Sequence, residues 1–193
     1  AGMIQQGKNN VGAAVAYSTI AQTHSANIDA VLLTSNSGNV LVSANDGSRI
    51  IGAAAGLGIA TGEFAGQAAY VANTINNSVS ASIGGAGATN ANTTVAANDI
   101  AIYAGDDSRI LGISGSIAIA TNQAALGAAL MNSTVGHGIT ASADGARLTA
   151  LGSATVEANS ASQVEAYAIG FSYGGNAGVA GSSTSNAMTT NVT

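Results

Sequence analysis

The chain contains no cysteine, no proline and no tryptophan, and charged residues make up 7% of it where roughly 25% is usual. Lacking cysteine, it has neither disulfide staples nor thiolate metal sites. Lacking proline, it also lacks one of the residues that block a sheet edge against further pairing. Four Lys and Arg stand against nine Asp and Glu, which argues against nucleic-acid binding, since that needs a basic footprint. No run of about 18 apolar residues occurs, so no helix of this sequence spans a bilayer. Disorder needs low hydrophobicity together with high net charge. With 47% hydrophobic residues and a net charge of −5, the chain is expected to fold.

So little charge leaves a nearly neutral surface of Ala, Ser, Thr, Asn and Gly, and proteins with such surfaces disperse poorly. One expectation is that much of the surface meets copies of itself or neighbouring repeats. The alternative is a segment of a longer array whose charged parts lie elsewhere. The start at Ala1-Gly2, with no basic and apolar leader, suits a processed product or an excised segment.

The most informative feature present is a recurring phrase. Asp46-Gly-Ser-Arg49-Ile-Ile-Gly52 returns as Asp106-Asp-Ser-Arg109-Ile-Leu-Gly112, with a weaker echo at Asp144-Gly-Ala-Arg147-Leu148. Three of the four basic residues lie inside this motif. Self-similarity at a fixed period is the mark of stacked repeats. At the same 60-residue offset Ile59-Ala60-Thr61 matches Ile119-Ala120-Thr121, and Asn73-Thr74-Ile75 matches Ser133-Thr134-Val135. Upstream, Ser18-Thr19-Ile20 matches Asn73-Thr74-Ile75 at an offset of 55. Downstream, Gly115-Ser116 with Ile119 and Asn122 matches Gly152-Ser153 with Val156 and Asn159 at 37. The chain therefore reads as one repetitive domain, with a partial copy over 1–38, copies over 39–98 and 99–143, and a degenerate copy over 144–193.

Within each copy the period is two. Ile51, Ala53, Ala55, Leu57 and Ile59 alternate with Ile50, Gly52, Ala54, Gly56, Gly58 and Ala60, and the parity is kept sixty residues on. One flank is bulky and the other small, which is a strand signature. Further along, Ala69, Val71, Ile75, Val79, Ala81 and Ile83 share a face opposite Tyr70, Thr74, Asn76 and Ser78. Helix is disfavoured by frequent Gly, common β-branched residues and the near absence of Glu and Lys. Breaks are expected at Ser35–Gly38, Thr61–Gly66, Gly84–Gly87, Asn122-Gln123 and Tyr173–Asn176. The fold class is therefore all-β, an elongated stacked-repeat architecture that is β-solenoid-like, with long alternating strands. Two geometries fit: rungs of roughly 20 residues, of which spacings of 60 and 38 are multiples, or long strands stacked into extended layers.

The pattern Asp-x-Ser-Arg-Ile-x-Gly, followed by alternating Ala, Gly and Ile and by Asn73-Thr-Ile-Asn-Asn77, resembles the repeats of large two-partner-secreted bacterial exoproteins. These include filamentous-haemagglutinin-like adhesins and fusobacterial leukotoxin-like proteins. The resemblance runs from about Asn39 to Thr193 and implies secretion, a β-solenoid fold and adhesion or display at a cell surface. The lower charge of this chain favours a more tightly packed assembly.

Few residues are placed for chemistry. His24 and His137 are the only histidines and read as inert, since a zinc site needs three or four convergent ligands. Asp46, Asp106 and Asp144 read as turn residues, with Arg49, Arg109 and Arg147 stacking or pairing with Asp along a ladder. Asn73, Asn76, Asn77 and Asn132 read as amide ladders between layers. Asn76, Asn92, Asn132 and Asn191 also satisfy Asn-x-Ser/Thr, about as many as chance gives so Ser/Thr-rich a chain. The Gly-rich stretches Gly52–Gly58 and Gly84–Gly87 lack the lysine and strand-to-helix context of a phosphate loop. Glu157 and Glu165 lack an aromatic sugar platform. A flat Thr face of the kind that orders ice needs regular ranks, and Thr61/Thr121, Thr74/Thr134 and Thr93/Thr94 look scattered.

The expectation is a non-enzymatic extracellular structural protein without cofactor, metal site or membrane span. Its partners are copies of itself in a fibre, sheath or coat, and in addition a host or neighbouring cell surface. The alternative is a solenoid segment of a large secreted adhesin.

Overall fold

The computed structural model describes residues 1–84 and 93–193. The Gly85–Gly87 part of the expected Gly-rich break and the Asn92 sequon lie outside the described residues. Among those described there are fourteen strands and no helix. β1 (Gly2–Gly7) and β2 (Asn10–Ile28) are followed by β3 (Leu32–Thr34), β4 (Val40–Asp46), β5 (Arg49–Ala60) and β6 (Phe64–Ile83). The same order of lengths returns in β7 (Thr93–Ala97), β8 (Ile100–Asp106), β9 (Arg109–Ala120) and β10 (Ala124–Ala143). It returns again in β11 (Ala146–Ala150), β12 (Ala154–Ser160), β13 (Gln163–Gly174) and β14 (Ala177–Val192).

Every pairing is parallel and joins equivalent strands of successive turns, giving four sheets. The broad sheet is β2-β6-β10-β14 and the facing sheet is β1-β5-β9-β13. A short sheet, β4-β8-β12, continues the facing sheet, and an end sheet, β3-β7-β11, links the broad sheet to the short one. The chain is thus a flattened parallel β-solenoid. Ile20 lies beside Ile75, Ile75 beside Val135 and Val135 beside Met188, so successive turns take 55, 60 and 53 residues by subtraction.

That result corrects the 20-residue rung, because a spacing of 60 is one whole turn. It also corrects the alignment at 37. Val156 pairs with Ile102 and Asn159 with Gly105 in the short sheet. Ile110 pairs with Val164 and Ser116 with Gly170, an offset of 54. The alignments at 55 and 60 coincide with the observed partners.

Side-chain size grades along the interior. Between the end, short and broad sheets the core is mainly Ile and Val, including Val42, Val79, Ile83, Val95, Ile100 and Ile102, with alanines between them. Toward the turn at Thr61–Glu63 it narrows to Ile50, Ile75, Ile110 and Val135, then to Ala54, Ala69, Val71 and Met131. Its last apolar residues are all alanine, Ala60, Ala65, Ala118, Ala120 and Ala125, beside the buried Asn10 and Gln67. Tapering side chains let the two layers converge below the usual ~10 Å between sheets. Contacts to main chain mark how close they come. The Ser114 hydroxyl donates to the Ala69 carbonyl across the layers at 3.0 Å. A Cβ added to Gly127 would overlap the carbonyl group of Phe171. The alternation in β5 is therefore resolved in one sense. Its Gly/Ala flank faces inward and its bulky flank outward, with Ile51 61% exposed.

Gly58 tests this packing. A Cβ there would lie 2.5 Å from Cγ of the buried Gln67, a separation that real side chains do not adopt. Gly58→Val is expected to destabilise the fold by about 1–3 kcal/mol through overpacking, whereas Ile51→Ala on the outer flank changes it by less than about 1 kcal/mol. Urea unfolding of the two variants gives the comparison, and the reverse ranking contradicts a close-packed interior.

Candidate functional site

The short and facing sheets meet at a corner that repeats in every turn: Asp46-Gly47-Ser48, Asp106-Asp107-Ser108 and Ser160-Ala161-Ser162. Asp46 stacks on Asp106 and Asp106 on Ser160. Main-chain bonds from Arg109 to Ser48 and from Gln163 to Ser108 carry the same register through the corner. Alternation turns the first and third residue of each corner inward. There they meet the column Gln22, Asn77, His137 of the broad sheet. Ser108, Asn77, Asp106 and His137 are all buried.

The cluster is connected throughout. Asn77 Nδ2 donates to Asp46 Oδ2, and lies 3.1 Å from Ser48 Oγ and 3.2 Å from Ser108 Oγ. The Gln22 main-chain N–H donates to Asn77 Oδ1 at 3.2 Å. Ser108 Oγ lies 2.7 Å and 2.8 Å from the two Asp106 oxygens, and 3.2 Å from Asp46 Oδ2. A histidine stands against each acid, His24 Nε2 at 3.1 Å from Asp46 Oδ1 and His137 Nδ1 at 3.2 Å from Asp106 Oδ2. His137 Nε2 contacts Ser162 Oγ at 2.9 Å.

Ser108 has one hydroxyl hydrogen for two stacked acids, and Asn77 Nδ2 donates to Asp46 in addition. The two carboxyls are shifted in opposite directions. For Asp46, burial pushes the carboxyl up, but hydrogen bonds from Ser48 and Ser108 and the nearby His24 outweigh it and hold the group below its ordinary value. For Asp106, burial raises the carboxyl and the neighbouring Asp46 adds to the rise, against Ser108 and His137.

Ser162, His137 and Asp106 superficially match a nucleophile, base and orienting acid. His137 Nδ1 has no hydrogen-bond partner among the described residues, although Asp106 Oδ2 lies 3.2 Å away, so the directed bond by which an acid orients the base is missing. Within the fold the cluster joins successive turns.

Similar ladders stand at other corners. Asn9 Oδ1 accepts from the main-chain N–H of Glu63 and Phe64, both at 3.1 Å. Asn122 Nδ2 donates to the Thr61 carbonyl at 3.0 Å. Asp99 accepts from the Ser153 main-chain N–H at 2.8 Å and from its hydroxyl at 2.9 Å, and these bonds hold its carboxyl below the ordinary value.

The residues singled out by sequence fall in several places. Asp46 and Asp106 are adjacent, as are Arg49 and Arg109. Arg109 pairs with Glu165 of the following turn rather than with an Asp, in an exposed contact worth about 0–1 kcal/mol. Arg147 pairs in the end sheet with Thr94, and Gln163 takes the position beside Arg109. The echo at Asp144 thus starts a different sheet. Of the ladder asparagines, Asn77 is in the cluster, while Asn76 and Asn132 lie on the exposed face of the broad sheet beside unlike residues. Asn73 is buried with no protein partner for either amide atom. Thr19, Thr74 and Thr134 do form one outer rank, which stops at Ala187. Sequence reading missed the His–Asp pairs. The available signal was that the two histidines, His24 and His137, fall in equivalent regions of their copies.

The linkage sign differs for the two acids. Asp46, lowered, contributes stability that is present above 3.8 and lost as pH falls through its folded value. Asp106, raised, contributes more as pH falls from its folded value toward 3.8. Asp46→Asn is expected to cost about 1–3 kcal/mol at neutral pH through lost charge-assisted hydrogen bonds. Asp106→Asn removes a carboxylate whose charge burial and Asp46 disfavour, and is expected to cost less at neutral pH than Asp46→Asn. Denaturant unfolding across the acid-to-neutral range checks both, and equal losses at neutral pH contradict the opposite shifts of the two acids.

Comparison of the chain with family models, curated proteins and solved structures gives no match.

Proposed function

We propose that the chain is a non-enzymatic extracellular structural protein whose β turns stack along the solenoid axis into a cell-surface fibre, sheath or coat. The observation that carries this reading is the open edge of the broad sheet. Among the described residues β14 pairs only with β10 and β2 only with β6, so each presents a row of main-chain donors and acceptors on its other side. All of β14 is exposed, including Val179, Met188 and Val192. Neither β2 nor β14 contains Lys, Arg, Asp, Glu or Pro. Natural sheets normally blunt such edges with charge, proline or a cover, and solenoids with a polar capping repeat. A further parallel turn satisfies both the hydrogen bonds and the apolar side chains.

The same edge equally fits further turns of a longer chain, which favours a second reading as part of the shaft of a large secreted adhesin. In both, the described residues supply length and stiffness rather than a reaction.

Electron microscopy and fibre diffraction of the purified chain test the first reading. Filaments with a reflection near 4.8 Å along the fibre axis are expected, since the strands run across that axis. Protein that stays monomeric at high concentration and yields no filaments contradicts it.

A further inference from the structure

We propose that the outer face of the facing sheet is a lateral pairing surface for a second copy of this chain, related by a two-fold axis parallel to the solenoid. The proposal rests on the assembly reading above but concerns a different surface, a sheet face rather than a strand edge.

The face is built from the outward flank of β1, β5, β9 and β13. One column is a ridge, Ile4, Leu57, Ile117 and Phe171 in register across the four strands. The next column is a trough, Gly2, Ala55 and Gly115, which Ile169 closes on the last strand. Together they form an open apolar groove of ≈ 860 Å³. The exposure is substantial, at 81% for Ile4, 68% for Ile169 and 52% for Phe171. Soluble monomers rarely carry such a surface without a use for it.

Three observations point to a copy of the chain as the occupant. The first is size. Three strands of twelve residues and one of six make up the face. Lying ~4.8 Å apart and rising ~3.3 Å per residue, they overlap over roughly nine residues once the charged margin is left out, about 500 Å² per copy and about 1,000 Å² in all, the lower bound of a specific interface. The second is charge. Arg49, Arg109 and Glu165 sit at one margin of the face, and the outward positions from Ala53 to Ile59 and from Ile113 to Ile119 carry none. A partner recognised by charge has nothing to grip there. The third is shape. A two-fold axis between the ridge and the trough places Ile4, Leu57 and Ile117 over the other copy's Gly2, Ala55 and Gly115 at the same height. Ridge and trough thus complement each other on three strands, as an isologous interface requires, and on the last strand Phe171 meets Ile169. That axis also leaves the charged margin outside the overlap.

Gly115 offers a specific test. A Cβ added there meets nothing within 4 Å, so Gly115→Phe fills the trough without disturbing the fold while making the face more apolar. Ile117→Glu instead breaks the ridge. Wild type is expected to dimerise in sedimentation velocity at about 100 µM, a concentration suited to an interface at the small end of the specific range. Each variant is expected to weaken dimerisation by about thirtyfold or more, with an unchanged circular dichroism spectrum. In micrographs, wild-type filaments are expected to be paired and Gly115→Phe filaments single.

Dimers without filaments support this pairing and remove the axial reading. Single wild-type filaments without dimers do the reverse. Pairing is also overturned if Gly115→Phe associates as well as wild type, which means indiscriminate apolar adhesion. It is overturned again if wild type stays monomeric while floating with phosphatidylcholine vesicles, which means a lipid surface. Should Ile117→Glu fail to fold, Ile169→Glu, at a more exposed site, replaces it.

Discussion

Close approach of two parallel sheets, whose apolar side chains at the narrow end are alanines packed with glycine around the buried Gln67, is the constraint on which the rest of this molecule depends. Where Ala60, Ala65, Ala118, Ala120 and Ala125 fill the interior, there is no room for the bulky flank of the facing strands. Ile51, Ile113 and Ile117 therefore face outward. An interior that narrows in this way contributes less apolar burial per residue than a normal core, and hydrophobic stabilisation follows buried apolar area. The broad end of the taper, with Ile75, Ile83, Ile100, Ile102 and Ile110, supplies most of what is buried.

In such a fold, register has to come from polar groups as well as from packing. Slipping a strand by one residue exchanges its two faces, which the difference in flank size forbids. Slippage by two is a finer matter in a chain so rich in alternating Gly, Ala and Ser. The ladders at the corners address it. Each joins positions one turn apart, directly as Asn9 does with Phe64, or through a third side chain as Asn77 does for Ser48 and Ser108. The stacked acids Asp46 and Asp106 are joined through Ser108, whose hydroxyl lies within hydrogen-bond distance of both.

Much of the fold was readable in the sequence because like residues stack on like in parallel turns. Ser80-Ala81-Ser82 lies on Thr140-Ala141-Ser142 as a text alignment suggests. Where the copies diverge, composition misleads. Gly and Ser are so common that Gly115-Ser116 matches Gly152-Ser153 by chance, while the true partners of Gly115 and Ser116 are Ile169 and Gly170. The length of the turn was misread because alternation reveals strands without revealing how many complete a circuit. Alternation likewise defines two flanks without saying which faces in. The His137–Asp106 and His24–Asp46 contacts cross the interior between different sheets, so they follow from the width of the turn and from no local spacing.

The turn length is also the quantity most directly open to measurement. With no native cysteine, nitroxide pairs can be placed at will on exposed or half-exposed strand positions. Labels at Thr74 and Thr134, adjacent across one turn, are predicted to show strong spin–spin broadening from backbones about 5 Å apart. Labels at Thr74 and Thr94, in different sheets of the solenoid, are predicted to show none. A sharp spectrum for the first pair with a broadened one for the second contradicts a turn of some sixty residues and the tapered interior built on it.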